Sequence, residues 1–141
     1  MQKVFLDTNI VLDVLGEREN YYEAAAKILT LVDKKKIKVY TSPITISTTY
    51  YLLTKYENEK SALEKIRKFK MLCAISMMND EVIEKAINSN FKDIEDAMQY
   101  FSAIASNCEI IITRNEKDFK NALIPVMNAE SYLQTYKNIV N

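Results

Sequence analysis

Short strand-like runs alternate with longer helix-like stretches along the whole chain. The runs are Val4–Leu6, Ile37–Thr41, Cys73–Ser76, Glu109–Ile112 and Ile124–Met127. Between them, Asn9–Leu15 reads as a short helix that stops at Gly16, where a left-handed C-cap is easiest. Tyr21–Lys35 places Ala24, Ala25, Ile28, Leu29 and Val32 at helical spacing, with basic residues in its last turn. Ser42 as N-cap and Pro43 at the first helical position start a helix that runs to about Tyr56. Further helices are expected over Ser61–Lys70, over Asn79–Ser89 with Asn79 or Asp80 as cap, over Asp93–Ser106 and over Asn128–Tyr136. Asp93–Ser106 is the clearest, with Ala97, Phe101, Ile104 and Ala105 on one side. Strands separated by helices must cross over before pairing, which predicts a parallel sheet covered on both faces. Sites in open sheets of this kind form beyond the carboxyl ends of the strands, near a reversal of strand order. The runs ending at Asp7 and at Thr113-Arg114-Asn115 point their polar clusters there.

Composition narrows the chemistry. The 141 residues suit one domain, residues 1–141, with a real core, and 48% hydrophobic with 27% charged residues is an ordinary globular balance. The chain has no histidine, which removes His-based acid–base catalysis and His metal sites. Its one glycine, Gly16, excludes Gly-rich phosphate loops. Cys73 and Cys108 stand far apart and read as buried thiols in a reducing cytoplasm. Catalysis must then rest on carboxylates, amides, hydroxyls and cations, a set that suits an oxygen-loving metal such as Mg²⁺ or Mn²⁺. No apolar run approaches the roughly 20 residues of a membrane span, and no secretory signal is visible. With 19 basic and 19 acidic residues the net charge is zero, which argues against a nonspecific nucleic-acid coat but leaves room for a local basic groove. Lys34–Lys38 and Lys65–Lys70 are the two basic clusters. Each is either a solvated helix end or a phosphate-contacting rim.

Three carboxylates stand out. Asp7 ends the first strand, Asp96 sits early in the helix DIEDAMQYFSAIA, and Asp118 lies in TRNEKDF just after a strand. Singly, each has a local explanation as an N-cap, a first-turn carboxylate favoured by the helix dipole, or a turn residue. Together, if they converge, their repulsion calls for a cation. Asp93 is three residues before Asp96 and shares its helical face.

The stretches VFLDTNIVLDVL, YTSPITISTTYYLL and FKDIEDAMQYFSAIASNCEIIITRNEKDFKNALIPVMNAESYL resemble, in order and over almost the whole chain, the PIN domain family of metal-dependent ribonucleases that includes VapC-type toxins. The resemblance implies a three-layer α/β/α sandwich with a mostly parallel central sheet of four to five strands. It also implies an acidic Mg²⁺ or Mn²⁺ site and hydrolysis of RNA phosphodiesters. Residue by residue, Asp7 matches the first-strand metal ligand, Asp96 the helical carboxylate, and Asp118 the last acidic position, with Asn115 in support. Asn9 and Thr113 resemble supporting polar groups of the site. Arg114 is a candidate RNA contact. The chain departs from the family pattern S-x-I-T-x-x-E at Thr48, where a hydroxyl replaces the carboxylate; Asp93 is a candidate to compensate. An endoribonuclease, the toxin of a toxin–antitoxin pair, is therefore expected, with RNA as substrate, an antitoxin protein as partner, a cytoplasmic location and a homodimer. Tyr50, Tyr51, Leu52 and Leu53 form the candidate dimer patch, although Tyr50, Tyr51 and Tyr100 also read as helix packing. The competing expectation is a weakened or inactive PIN module that acts by binding RNA or protein. A phosphatase of the haloacid-dehalogenase type is disfavoured, because the second Asp that its chemistry needs is Asn9.

Overall fold

The computed structural model describes residues 1–140. Five parallel strands, β1 (Lys3–Leu6), β2 (Lys38–Thr41), β3 (Cys73–Ile75), β4 (Ile110–Ile112) and β5 (Val126–Met127), form one sheet in the order β3-β2-β1-β4-β5. The helices are α1 (Thr8–Leu15), α2 (Tyr22–Asp33), α3 (Pro43–Tyr56), α4 (Glu59–Lys70), α5 (Asp80–Ile87), α6 (Ile94–Ala105) and α7 (Ala129–Val140), with a 3₁₀ turn at Glu116–Phe119. The chain builds outward from β1 to β3, then returns to the other side of β1 for β4 and β5. The order of strands therefore reverses between β1 and β4. There Leu6 lies in register with Ile112, so Asp7 emerges beside Thr113.

Alternating strand residues supply two cores. Val4, Leu6, Val39, Ile110 and Ile112 pack with Ile10 and Val11 of α1, Ala25 and Ile28 of α2, Phe69 of α4 and Tyr132 of α7. On the other face, Phe5 and Ile111 meet Tyr100 and Ala103 of α6, with Phe119 from the 3₁₀ turn. These are the three layers implied by the resemblance. Ser42, Asn58, Asn79 and Asp93 cap α3, α4, α5 and α6 by accepting a backbone N–H from within the first turn. The crossover connections thus start at defined points. No helix among the described residues is long and apolar enough to cross a membrane.

Two expectations are corrected by the structure, and one choice between readings is decided. Gly16 is not left-handed: its φ is −89°, and the positive φ falls on Glu17 at 48°. Arg18 N–H donates to Asp13 O at 3.0 Å and Glu17 N–H to Val14 O at 3.3 Å, so Gly16 is the C-cap of a Schellman turn and Glu17 is the residue beyond it. Glycine is needed at 16 for room, since a Cβ would lie 2.8 Å from the Leu12 carbonyl oxygen. The patch Tyr50–Leu53 is not a continuous surface: Leu53 is 2% exposed and belongs to the core, whereas Tyr51 is 58% exposed beneath the Lys55 ammonium. Finally, Lys34–Lys36 and Lys68–Lys70 close helices that lead into the starts of β2 and β3. In a parallel sheet that edge is opposite the one where β1 and β4 end, so neither cluster rims the acidic positions.

Candidate active site

Asp7 follows the last residue of β1 and serves as N-cap of α1, accepting Thr8 N–H at Oδ1 (2.9 Å). Its backbone N–H continues the sheet to Ile112 O at 3.0 Å. The carboxylate is buried and takes three further hydrogen bonds. Thr113 Oγ1 donates to Oδ2 at 2.8 Å, Asn9 Nδ2 donates to the same oxygen at 3.4 Å, and Gln99 Nε2 donates to Oδ1 at 3.1 Å. Donors from α1, from α6 and from Thr113, just after β4, thus converge on one carboxylate at the switch point, which is how a buried charge is tolerated. Asn9 also donates to Thr113 Oγ1 (3.2 Å) and accepts Arg114 N–H (3.1 Å), tying the end of β4 to the start of α1. Asn115 contributes its backbone N–H to Thr113 Oγ1 at 3.1 Å.

Helix α6 delivers the second acid. Asp93 is its N-cap and accepts Asp96 N–H at 3.1 Å, so this pair is joined through the backbone as well as sharing a face. Asp96 is half-buried, and its carboxyl is pushed up to about 7, first by burial and then by the negative charges of Asp7, Asp93, Asp118 and Glu95. One turn further along, Gln99 is 1% exposed. Its Nε2 donates to Thr45 Oγ1 at 2.9 Å in addition to Asp7, and its Oε1 accepts from Ser42 Oγ. Thr45 in turn shares a hydrogen bond with Thr8 at 2.8 Å. The polar group that α3 brings to this network is therefore Thr45, not Thr48, which stands one turn beyond and is half-buried.

Asp118 rides on the 3₁₀ turn, which is pinned by burial of Phe119 against Phe91 and Tyr100. It is exposed, and with Asp93 and Asp96 it lines a cleft of about 240 Å³. Lys92, Lys117, Lys120 and Asn121 complete the lining. The cleft thus combines three carboxylates with three lysines. As placed, no group of three or more Asp, Glu or Cys side chains among the described residues is gathered closely enough to hold a metal ion. The acids are near enough to repel one another without meeting at a common point.

Arg114 is engaged within the protein. Its Nε and one terminal nitrogen donate to the two oxygens of buried Asp13 at 2.9 and 3.1 Å, and the guanidinium lies 3.9 Å over the Tyr21 ring. That fork-to-carboxylate geometry directs it toward α1 and α2 rather than into the acidic cleft. Cys73 and Cys108 are free and buried, and burial pushes both thiols up to about 12, so they stay protonated. Gln99, Thr45 and the three cleft lysines have no local signature. The one signal present for Gln99 is its spacing of three from Asp96 on the same helical face; for the lysines it is their position flanking Asp93 and Asp118.

A family model for the PIN domain matches residues 3–117. Ribonuclease VapC1 of Aquifex aeolicus (strain VF5) is 30% identical over 143 residues, covering 98% of each chain. Among solved structures, the DNA-bound VapBC of Salmonella typhimurium superposes with a TM-score of 0.69 at 16% identity, covering 92% of this chain and 99% of that one. VapC20 of Mycobacterium tuberculosis, a toxin that cleaves the sarcin–ricin loop, does so with a TM-score of 0.60 at 14% identity, covering 77% and 86%. At these structural identities the likeness is one of fold, and it agrees with the parallel sheet and its two helical layers. With the family model spanning most of the chain and the Aquifex relative nearly all of it, this chain belongs to the PIN domain family.

Proposed function

We propose that the chain is a divalent-metal-dependent endoribonuclease, the toxin of a toxin–antitoxin pair, with Asp7, Asp96 and Asp118 as its acidic centre. The observation that carries this reading is the Asp7–Asp96 arrangement. A carboxylate fixed at the switch point by four donors lies within electrostatic reach of a second one, Asp96, whose carboxyl is pushed up to about 7, first by burial and then by surrounding negative charge. Such crowding is stabilised by a cation. The donor set fits a hard ion in kind, being all oxygen and in excess of negative charge. Since the carboxylates are not gathered at one point, Asp7 and Asp96 would hold such an ion only with a shift of side chains, and Asp118, which is exposed, would join them directly or through water. Mg²⁺ or Mn²⁺ held there would supply a water of lowered pKa and would stabilise charge building on a backbone phosphate.

The chain's own groups have separable tasks. Thr8, Asn9 and Thr113 hold the Asp7 carboxylate, so its orientation does not depend on substrate. Asp96, in its ionised form, would be a second oxygen ligand to the cation. Lys92, Lys117 and Lys120 contact phosphates of the strand on either side of the reacting one, and single-stranded or looped RNA is the form such a cleft admits. The Aquifex relative, a ribonuclease by name, supports RNA as substrate, and the VapBC assemblies among the structural relatives support a protein partner, which on this reading is an antitoxin met in the cytoplasm. A homodimer would use the exposed face of the α3–α4 hairpin at Tyr51 and Tyr56.

Thr48 motivates a second reading, an inactive module that binds RNA or protein. Incubating wild type and Asp7→Asn with unstructured RNA and Mn²⁺ separates the two. Metal-dependent cleavage by wild type alone supports the nuclease; inertness of both with every divalent metal would leave only the binding module.

A further inference from the structure

Helix α6 brings two unlike groups to the same place. Asp96 is an acid near the surface; Gln99, one turn later, is neutral and enclosed, with 1% of its surface exposed. A buried primary amide has two N–H donors and a carbonyl to satisfy. Here one N–H goes to Asp7 Oδ1 at 3.1 Å, the other to Thr45 Oγ1 at 2.9 Å, and the carbonyl accepts from Ser42. The side chain therefore links β1, α3 and α6 with its hydrogen-bonding capacity fully used. Ser42 and Thr45 are the N-cap and third residue of α3, the helix on which position 48 lacks its carboxylate.

We infer that Gln99 is a positioning residue: its amide fixes the Asp7 carboxylate and joins α3 to the site by hydrogen bonds, the connection that an acid at position 48 would otherwise make through a shared cation. This rests on the metal-dependent reading of the site. Of the four donors on Asp7, Thr8 and Asn9 follow it in sequence and Thr113 follows the neighbouring strand directly. Gln99 alone reaches across from another layer, so it controls the distance between Asp7 and the helix that carries Asp96. A site with one fewer acid has weaker electrostatic cohesion around a metal, and a neutral tether restores geometry without adding charge repulsion.

The test uses the full chain in three measurements. In metal-free wild type, the Gln99 side-chain NH₂ protons should exchange with water about 10-fold or more slowly than those of exposed Gln134, and their NMR signals should move in Asp7→Asn. For Gln99→Met, which keeps length and apolar volume but has no donor, kcat on RNA and Mn²⁺ affinity by calorimetry should each fall about 10-fold to 100-fold, with KM changed less than about 3-fold. Gln99→Glu should not restore kcat, because an ionised carboxylate has no N–H for Asp7. Fast-exchanging amide protons that ignore Asp7→Asn, or Mn²⁺ affinity and kcat within about twofold of wild type in Gln99→Met, would overturn the inference. If wild type cleaves no RNA, the nuclease reading fails on its own, and the exchange and Mn²⁺ measurements still decide the role of Gln99.

Discussion

On the proposed reading, metal binding at Asp96 is a proton-linked event. With its carboxyl pushed up to about 7, Asp96 is mostly protonated at pH 6 and mostly ionised at pH 8. For a group titrating there, the ionised fraction rises from about 9% to about 91% over that range. A cation that needs the ionised form should therefore bind about 10-fold more tightly at pH 8 than at pH 6, and at pH 7 its binding should release about half a proton per site from Asp96. The same shift has an opposite consequence without metal. A carboxyl whose folded-state value lies above the unfolded one holds extra protons when folded, so it contributes stability that is fully present below about pH 4 and is lost as pH rises through about 7. Metal-free protein should thus lose stability between pH 5 and 8, whereas saturating Mn²⁺ should flatten or reverse that slope. Isothermal calorimetry in two buffers of different ionisation enthalpy measures the proton release directly, and urea denaturation across pH measures the stability. Asp96→Asn should abolish the proton release. Mn²⁺ affinity that is the same at pH 6 and pH 8, with no proton released, would refute the reasoning.

Other consequences follow from parts of the fold around the site. Arg114→Ala removes both bonds to buried Asp13, leaving only Arg18 at 3.9 Å, and should lower unfolding free energy by about 2–3 kcal/mol in urea titrations; a loss under about 0.5 would mean that the pair is not structurally important. Lys35 sits at φ 58° beyond α2, so Lys35→Gly should stabilise the chain by about 0.5–1 kcal/mol, measured as a higher Tm, whereas no gain would show that residue 35 is unstrained. Gly16→Ala should destabilise by about 1 kcal/mol, because its Cβ meets the Leu12 carbonyl; a neutral result would remove the close-approach explanation. Thr48→Glu should tighten Mn²⁺ binding by about 10-fold by adding a carboxylate one turn beyond Thr45, and an unchanged dissociation constant would place position 48 outside the metal's reach.

Local pattern was enough for the elements. Apolar runs flanked by helical spacing located every strand to within a few residues, and Ser42-Pro43, Asn79 and the Asp93–Asp96 pair marked real helix starts. What a local pattern lacks is the order of the strands. That order puts Asp7 beside Thr113 and turns KKKIK toward the far edge, so the densest basic cluster is remote from the acids while single lysines at 92, 117 and 120 line the acidic cleft. Gln99 was hidden for the same reason. Between Met98 and Tyr100 it looks like an ordinary helix residue, and only the packing of α6 against the ends of β1 and α3 makes its amide meet Asp7, Ser42 and Thr45. Arg114 looked available for RNA because its partner Asp13 is far away in sequence. Gly16 shows the limit of residue preference: the left-handed position went to Glu17, since the Schellman hydrogen bonds fix where the turn falls and glycine was required one residue earlier for space.

The central claim is that Asp7, Asp96 and Asp118 hold one divalent cation at the point where strand order reverses. A crystal structure of the full chain soaked in Mn²⁺ at pH 8, with anomalous scattering recorded at the manganese edge, tests it most directly. The account predicts one strong peak within about 2.5 Å of Asp7 and Asp96 carboxylate oxygens, with Asp118 turned inward directly or through water, and no such peak in Asp7→Asn. A saturating soak that leaves this cleft without an anomalous peak, or that places manganese away from Asp7, would contradict it.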